Sequence, residues 1–182
     1  MRAPPLAIAV LFAAGVSIPT GSPSASEAGP VYDVDRLPEI VRQIATGEFQ
    51  CDLAGSIEAF GYVAVSTDRG STLFAVPCFP ADVNLESLLV EIESDGTAWL
   101  HSLAESPEGG RLERVTNPVI LDRGTRLTTA SFYGPDGDCG LFTSYRHDPD
   151  RGGYLIVEQR EKPDCGGDYA PPETYPVIWS LN

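Results

Sequence analysis

The chain is short of positive charge, and this shortage limits what it can bind. It has 12 Lys and Arg against 26 Asp and Glu, which gives a formal net charge of −14 over 182 residues. Nucleic acids and anionic membrane surfaces would repel such a protein, so we expect neither as a partner. The charge is compatible with cationic partners, with divalent ions, or with solubility alone.

An apolar run long enough to cross a membrane is also missing. The candidate run, residues 6–16, spans about 11 residues, whereas a spanning helix needs about 20. Arg2 precedes this run and small residues follow it through Ser26, which is the pattern of a secretory signal peptide. We therefore predict a signal peptide over residues 1–26 and one disulfide-stapled, β-rich domain over residues 27–182. The mature protein should be periplasmic or secreted, without a membrane span.

Cysteine is scarce but even in number: Cys51, Cys78, Cys139 and Cys165. In an oxidising compartment four cysteines indicate two disulfides, for which three pairings are possible. We favour the sequential pairing, Cys51 with Cys78 and Cys139 with Cys165. Each bridge would then close a loop of about 27 residues and stabilise the fold by about 3 kcal/mol. A zinc site would need C-x-x-C spacing, which does not occur, and no cofactor is predicted.

Only one segment has the hydrophobic period of a helix. Apolar residues recur at the i, i+3, i+4, i+7 spacing at Leu37, Ile40, Val41 and Ile44. Asp35 provides an N-cap and Gly47 a stop. The sequence thus predicts a single N-terminal amphipathic helix of about three turns, with its apolar face packed on a sheet.

From residue 57 onward, short aromatic and β-branched runs separated by Gly and Pro predict strands. The predicted strands cover residues 59–65, 72–78, 88–93, 97–103, 112–115, 126–133, 141–146, 154–161 and 175–181, with a loop at 79–84. The Asp95-Gly96 pair is a strong hairpin signal. Because no connection is long enough for a crossover helix, we predict a mainly β fold, an antiparallel meander that forms a sandwich or an open barrel.

The strand at residues 72–78 should alternate its side chains between two faces. Leu73, Ala75 and Pro77 fall on one face, and Phe74, Val76 and Cys78 fall on the other. Pro77 indicates that the strand ends there or lies on an edge.

The chain lacks a catalytic signature. Its two histidines are His101, beside Ser102, and His147, beside Asp148. Nucleophilic catalysis needs a serine or thiol held near an oriented histidine, but no G-x-S-x-G elbow is present. Trp99 alternates with apolar neighbours, which predicts core packing. No catalytic residue is predicted.

Carboxylates gather in two glycine-containing turns. Asp136 and Asp138 lie in the first turn, and Asp148 and Asp150 lie in the second. Oxygen-rich turns can bind calcium, but neither has the ligand run of an EF-hand. Asp beside Gly more often stabilises a turn through its own backbone, so no metal ligand is predicted.

The second half of the chain carries a set of motifs that matches a known pattern. They are Thr116-Asn117-Pro118, Gly137-Asp138-Cys139-Gly140, residues 157–161, Cys165-Gly166 and residues 176–180, with the Pro77-Cys78 strand end before them. Over residues 72–182 the chain resembles the C-terminal part of a family of secreted, periplasmic-type bacterial proteins known only as a domain of unknown function. It departs from that family at residues 79–84, where the family often has a Gly-Ala-Tyr-Asn-like turn. The resemblance implies export and disulfides, and it implies no activity.

Taken together, these features predict an exported, non-enzymatic protein that binds a protein or a small ligand through its loops. One alternative is a hydrolase that uses loop carboxylates or a histidine, and another is a calcium-stabilised structural module. The binding protein and the hydrolase would need different surfaces. A deep pocket that gathers His101 or His147 with carboxylates would favour the enzyme, and a flat loop face would favour binding.

Overall fold

Consecutive strands form two antiparallel meanders in the computed structural model, which describes residues 29–181. The predicted signal peptide lies outside the described residues. The helical segments are a 3₁₀ turn at Val34–Arg36, helix α1 at Glu39–Gln43, a π-helical turn at Ile44–Glu48 and helix α2 at Leu53–Phe60. The strands are β1 Val63–Ser66, β2 Thr72–Ala81, β3 Asn84–Ile92, β4 Ala98–His101, β5 Leu103–Ser106, β6 Gly109–Leu112, β7 Val115–Thr116, β8 Val119–Leu121, β9 Arg126–Phe132, β10 Gly140–Asp148, β11 Gly153–Lys162 and β12 Val177–Ser180.

The first sheet has the order β1-β2-β3-β4, with β7 also paired to β3, and the second has the order β8-β9-β10-β11-β12. Strands β5 and β6 form a separate hairpin. All strand pairs of the described chain are antiparallel, and neither large sheet closes on itself. The predicted mainly β meander is confirmed, and its form is an open sandwich with helices on one side.

The first sheet is the middle layer and is buried on both faces. Phe74 and Val76 of β2 face the helices, where they pack with Val41 and Ile57. Leu73, on the opposite face of β2, packs with residues of the second sheet. The predicted alternation of β2 is therefore correct, and it explains why this strand is apolar along both faces.

The predicted N-terminal helix is present but interrupted. Leu37, Val41 and Ala45 form its buried stripe, whereas Ile40 is 40% exposed. The sequence analysis placed Ile40 on the packed face and was wrong there. The i, i+4 spacing through Ala45, continued into the π-helical turn, turns Ile40 towards solvent.

A second helix, α2, occupies part of the segment that we predicted to be a strand at residues 59–65. The Asp52 side chain accepts a hydrogen bond from the backbone N–H of Gly55 and caps this helix. Leu53 and Ile57, one turn apart, are buried against the first sheet. Gly61 ends the helix with a φ of +69°, which a residue with a Cβ rarely adopts. The strand begins only at Val63.

The predicted loop at residues 79–84 is also wrong. Strand β2 continues to Ala81, and a tight turn leads into β3 at Asn84. Pro77 does not end the strand. It lies beyond Ala75, the last residue of β2 that β1 pairs, so its missing N–H leaves no bond unmade on that side. A bulge follows between Pro77 and Phe79.

Two asparagine side chains connect the sheets at one corner. The Asn84 amide donates to the carbonyl of Phe132 at 2.9 Å and accepts from the N–H of Phe132 at 2.9 Å. The Asn117 amide donates to the carbonyls of Val83 and Ala130, both at 3.0 Å. These bonds act like strand pairing between β3 and β9, and they fix the two sheets together at this end.

Candidate functional site

A cleft of about 490 Å³ opens between the sheets at the end opposite the asparagine corner. Its walls come from β3, β4 and the β1–β2 turn on one side, and from the β10–β11 turn on the other. The lining residues are Arg69, Glu91, Glu93, Trp99, Leu100, His101, His147, Pro149 and Gly152. Both histidines of the chain therefore lie in one cleft, although they belong to different sheets.

The register of the first sheet puts the polar groups on the cleft side. Leu89 of β3 packs in the core between the sheets, so Glu91, two residues later, projects from the same face. Glu91 pairs with Trp99 across the β3–β4 ladder, and Leu89 pairs with His101. Because directly paired residues share a face, Glu91, Trp99 and His101 all face the second sheet.

Glu91 is the centre of a buried polar network. Its carboxylate accepts a hydrogen bond from Nη2 of Arg69 at 2.7 Å and another from the Ser71 hydroxyl. Its second oxygen, Oε2, lies 2.6 Å from Nε2 of His101. The side chain is only 4% exposed, so these partners replace water as the source of its hydrogen bonds.

The network keeps Glu91 ionised and fixes the tautomer of His101. Burial alone would raise the pKa of Glu91, but the hydrogen bonds from His101, Ser71 and Arg69 outweigh it and lower the pKa to about 2. An ionised carboxylate only accepts hydrogen bonds, so Nε2 of His101 carries the proton. In neutral His101 the lone pair is then on Nδ1.

Tyr154 of β11 separates the two histidines. Its ring meets His101 edge-on at 5.5 Å and His147 edge-on at 5.4 Å between ring centroids. Its hydroxyl donates to the carbonyl of Gly124 at 2.7 Å, and burial is the main cause that raises its pKa to about 12. Burial, with help from the charge of Arg69, lowers the pKa of His147. His147 is thus neutral at pH 7.

The arrangement can bind polar groups, but it does not form a serine nucleophile. The Ser71 hydroxyl lies 2.6 Å from the Thr67 hydroxyl and also bonds Glu91. Glu91 therefore stands between Ser71 and His101, whereas a triad requires the histidine between the serine and the acid. Nδ1 of His101 and the imidazole of His147, which lines the same cleft, remain as groups that can accept a proton.

The structure confirms the four predicted disulfide cysteines. Cys51 bonds Cys78, and Cys139 bonds Cys165, as the sequential pairing predicted. The first bridge is buried and joins the segment before α2 to β2. The second closes the β10–β11 hairpin at the end far from the cleft, with Cys165 exposed.

The two acidic turns use their carboxylates differently: Asp148 bonds within its own turn, as expected, whereas Asp138 bonds a distant segment. Asp148 accepts from the N–H of Asp150 at 3.0 Å, and Asp138 accepts from the N–H of Gly167 at 2.6 Å. In the described part of the chain, the one close group of three possible metal-ligating residues is Asp138 with Cys139 and Cys165. Two members of that group are joined in a disulfide, so their thiolates are not available to a metal.

Sequence reasoning missed Arg69, Glu91 and Trp99. We predicted that Trp99 packs in the core, but it is 55% exposed beside the cleft. Glu91 did carry a signal: it interrupts a run of apolar residues at a position where strand alternation requires a buried side chain. A carboxylate at such a position needs buried partners, and this could have indicated the network.

Comparisons of the chain with protein families, with curated proteins and with solved structures give no match. The resemblance to the secreted bacterial family therefore stays a prediction. Across residues 29–181, no helix has the length and apolar character needed to cross a membrane.

Proposed function

We propose that the chain is an exported, non-enzymatic binding protein that holds a small ligand in the cleft between its two sheets. The observation that carries this proposal is the open cleft, in which exposed Trp99 lies beside a fixed set of polar groups. Ligand sites commonly combine an apolar surface with a few oriented polar groups. Two disulfides and the predicted signal peptide support export into an oxidising compartment.

The binding surface differs from the one expected from the sequence. We expected loops to carry it; in the proposed site the strands β3 and β4 supply Glu91, Trp99 and His101, and the β1–β2 turn supplies Arg69. A site built on paired strands is more rigid than one built on loops. The cleft is therefore preorganised, which reduces the entropy cost of binding.

Equilibrium dialysis tests the proposal. The full chain is expressed, the exported protein is purified and sequenced from its N-terminus, and it is dialysed against the small-molecule fraction of culture medium. Mass spectrometry should find the same compound enriched by the wild type and by Tyr169→Ala, a variant at an exposed aromatic outside the cleft. Trp99→Ala should not enrich it. No enrichment by the wild type, or equal enrichment by Trp99→Ala, would overturn the proposal.

A hydrolase is the second candidate, because the cleft gathers both histidines with carboxylates, which is the arrangement that we expected to favour an enzyme. His101, held by Glu91 through Nε2, could remove a proton from water through Nδ1, and Arg69 could stabilise negative charge that develops on a substrate. We place this candidate second, because Glu91 is saturated by hydrogen bonds and the Ser71 hydroxyl is not directed at a histidine.

Chromogenic substrates separate the two candidates. The nitrophenyl acetate ester, bis-nitrophenyl phosphate and a nitrophenyl glycoside should each be hydrolysed at the buffer rate by the wild type. A rate above that background which falls at least tenfold in His101→Gln but not in Tyr169→Ala would favour the hydrolase.

A further inference from the structure

The cleft offers a ligand one cationic and one anionic side chain, and this limits which ligands the proposed binding protein could hold. Arg69 is the cationic group. A guanidinium has five N–H donors. Glu91 takes one of them at 2.7 Å, and the guanidinium also lies beside the Tyr154 hydroxyl. The side chain is 28% exposed, so the remaining donors can reach a bound anionic group.

Glu93 is the anionic group. It lines the cleft, and its carboxylate makes no hydrogen bond or ion pair with any other residue between 29 and 181. Glu91 cannot serve in its place, because Arg69, Ser71 and His101 already occupy its oxygens. The free carboxylate of the cleft therefore belongs to Glu93, while Glu91 holds Arg69 in position.

Trp99 supplies an apolar surface in the same cleft. It pairs with Glu91 across β3 and β4, and Glu93 lies just beyond Ile92, the last residue of β3. The exposed indole can cover an apolar part of a ligand and can also attract a cation over its ring.

We infer that the ligand is a free α-amino acid, bound with its carboxylate on Arg69, its ammonium group on Glu93 and its side chain against Trp99. This inference rests on the proposed binding function and names its ligand class. A sugar or a simple anion would leave the Glu93 carboxylate without a cationic partner, and a simple cation would leave the remaining Arg69 donors unused.

The volume of the cleft fits a ligand of this size. Arg69, Glu93 and Trp99 all line one cleft of about 490 Å³, which lies within the usual range for a small-molecule site.

Calorimetric titration with matched ligands tests the inference. Each of the common L-amino acids is titrated into the exported protein, followed by the N-acetyl derivative and the amide of any that bind. The N-acetyl derivative lacks the cation and the amide lacks the anion. The free amino acid should bind at least about tenfold more tightly than either derivative.

Two carboxamide variants give the matched protein control. Glu93→Gln removes the charge from the cleft, and Glu58→Gln removes an exposed charge from α2. The affinity should fall at least about tenfold in Glu93→Gln and stay unchanged in Glu58→Gln. Because the Glu93 side chain has no partner in the described chain, this variant should fold normally.

The possible results test the amino-acid inference separately from the proposed binding function. If a derivative binds as well as the free amino acid, or if Glu93→Gln binds like the wild type, the amino-acid inference is wrong. The same holds if no amino acid binds. In each case the dialysis experiment with Trp99→Ala still decides separately whether the cleft binds a small ligand.

Discussion

The two faces of the first sheet are built in opposite ways. The face towards the helices is dry: apolar side chains such as Val76 and Val90 pack there, together with the buried Cys51–Cys78 bridge. The face towards the second sheet is apolar near Leu73 and Leu89, but it ends in the network around Glu91.

This difference assigns stability to the dry face and binding to the polar end of the other face. Burying a carboxylate is costly even when it is well paired, and an apolar group of similar size often stabilises a fold as well or better. A chain that already has a dry face for stability does not need Glu91 to hold its sheets together. The polar end is thus better explained by a ligand than by folding. Four predictions test this division.

The largest loss of stability should follow removal of the buried bridge on the dry face. Cys51→Ala with Cys78→Ala should lower the free energy of unfolding by about 3 to 5 kcal/mol in guanidinium denaturation. The matched control is Cys139→Ala with Cys165→Ala, because the sequence separations of the two bridges are 27 and 26 residues and the loop entropy is nearly equal. That control should lose less, about 3 kcal/mol, because Cys165 is exposed. Equal losses would show that burial on the dry face adds nothing.

The second-largest effect should be the loss, in acid, of the stability that ionised Glu91 provides. Its pKa is about 2 in the fold, against an ordinary 4.5, so the unfolded chain takes up the proton first as the pH falls. Ionised Glu91 therefore stabilises the fold by about 3 kcal/mol more than protonated Glu91 does above pH 4.5, and this difference is lost progressively as the pH falls to 2 and below. When the free energy of unfolding is plotted against pH, the curves of the wild type and of Glu91→Gln should converge in acid. Parallel curves would contradict the assigned pKa.

A smaller effect of acid should come from His147. Burial lowers its pKa in the fold, so the unfolded chain binds its proton more readily and stability falls as the pH drops below about 6.5. NMR titration of the imidazole C–H signals should give His147 a pKa below 6.5. In His147→Gln the stability should depend less on pH in this range. A measured His147 pKa at or above 6.5 would contradict this prediction.

The smallest change in stability should be that of Trp99→Ala. The indole is 55% exposed, so its removal should cost about 1 kcal/mol, well below the loss of either bridge, in the same denaturation experiment. The variant should nevertheless lose the ligand. A large loss of stability would mean that Trp99 supports the fold and does not belong to a separable site.

The fold was predictable where the signal was local. The Asp95-Gly96 turn and the alternation of β2 follow from neighbouring residues, and each disulfide joins two cysteines that are consecutive among the four. Helix α2 was missed because it is short, contains Gly55 and Ser56, and runs into the aromatic Phe60. It is stabilised instead by tertiary contacts, since Leu53 and Ile57 are buried on the first sheet.

The site was less predictable, because its contacts join distant parts of the chain. Arg69 and Glu91 are 22 residues apart, and the two histidines lie in separate sheets. No local sequence pattern predicts that these distant residues come together. Only the anomaly of a carboxylate at a core position of β3 was readable, and it indicates a buried partner without saying which one.

The asparagine corner has a mechanical consequence for the cleft. Asn84 lies at one end of β3 and Glu91 near the other, about 23 Å away along the strand. The bonds that set the distance between β3 and β9 are therefore made far from the cleft, and they hold its walls at a fixed spacing through the length of β3.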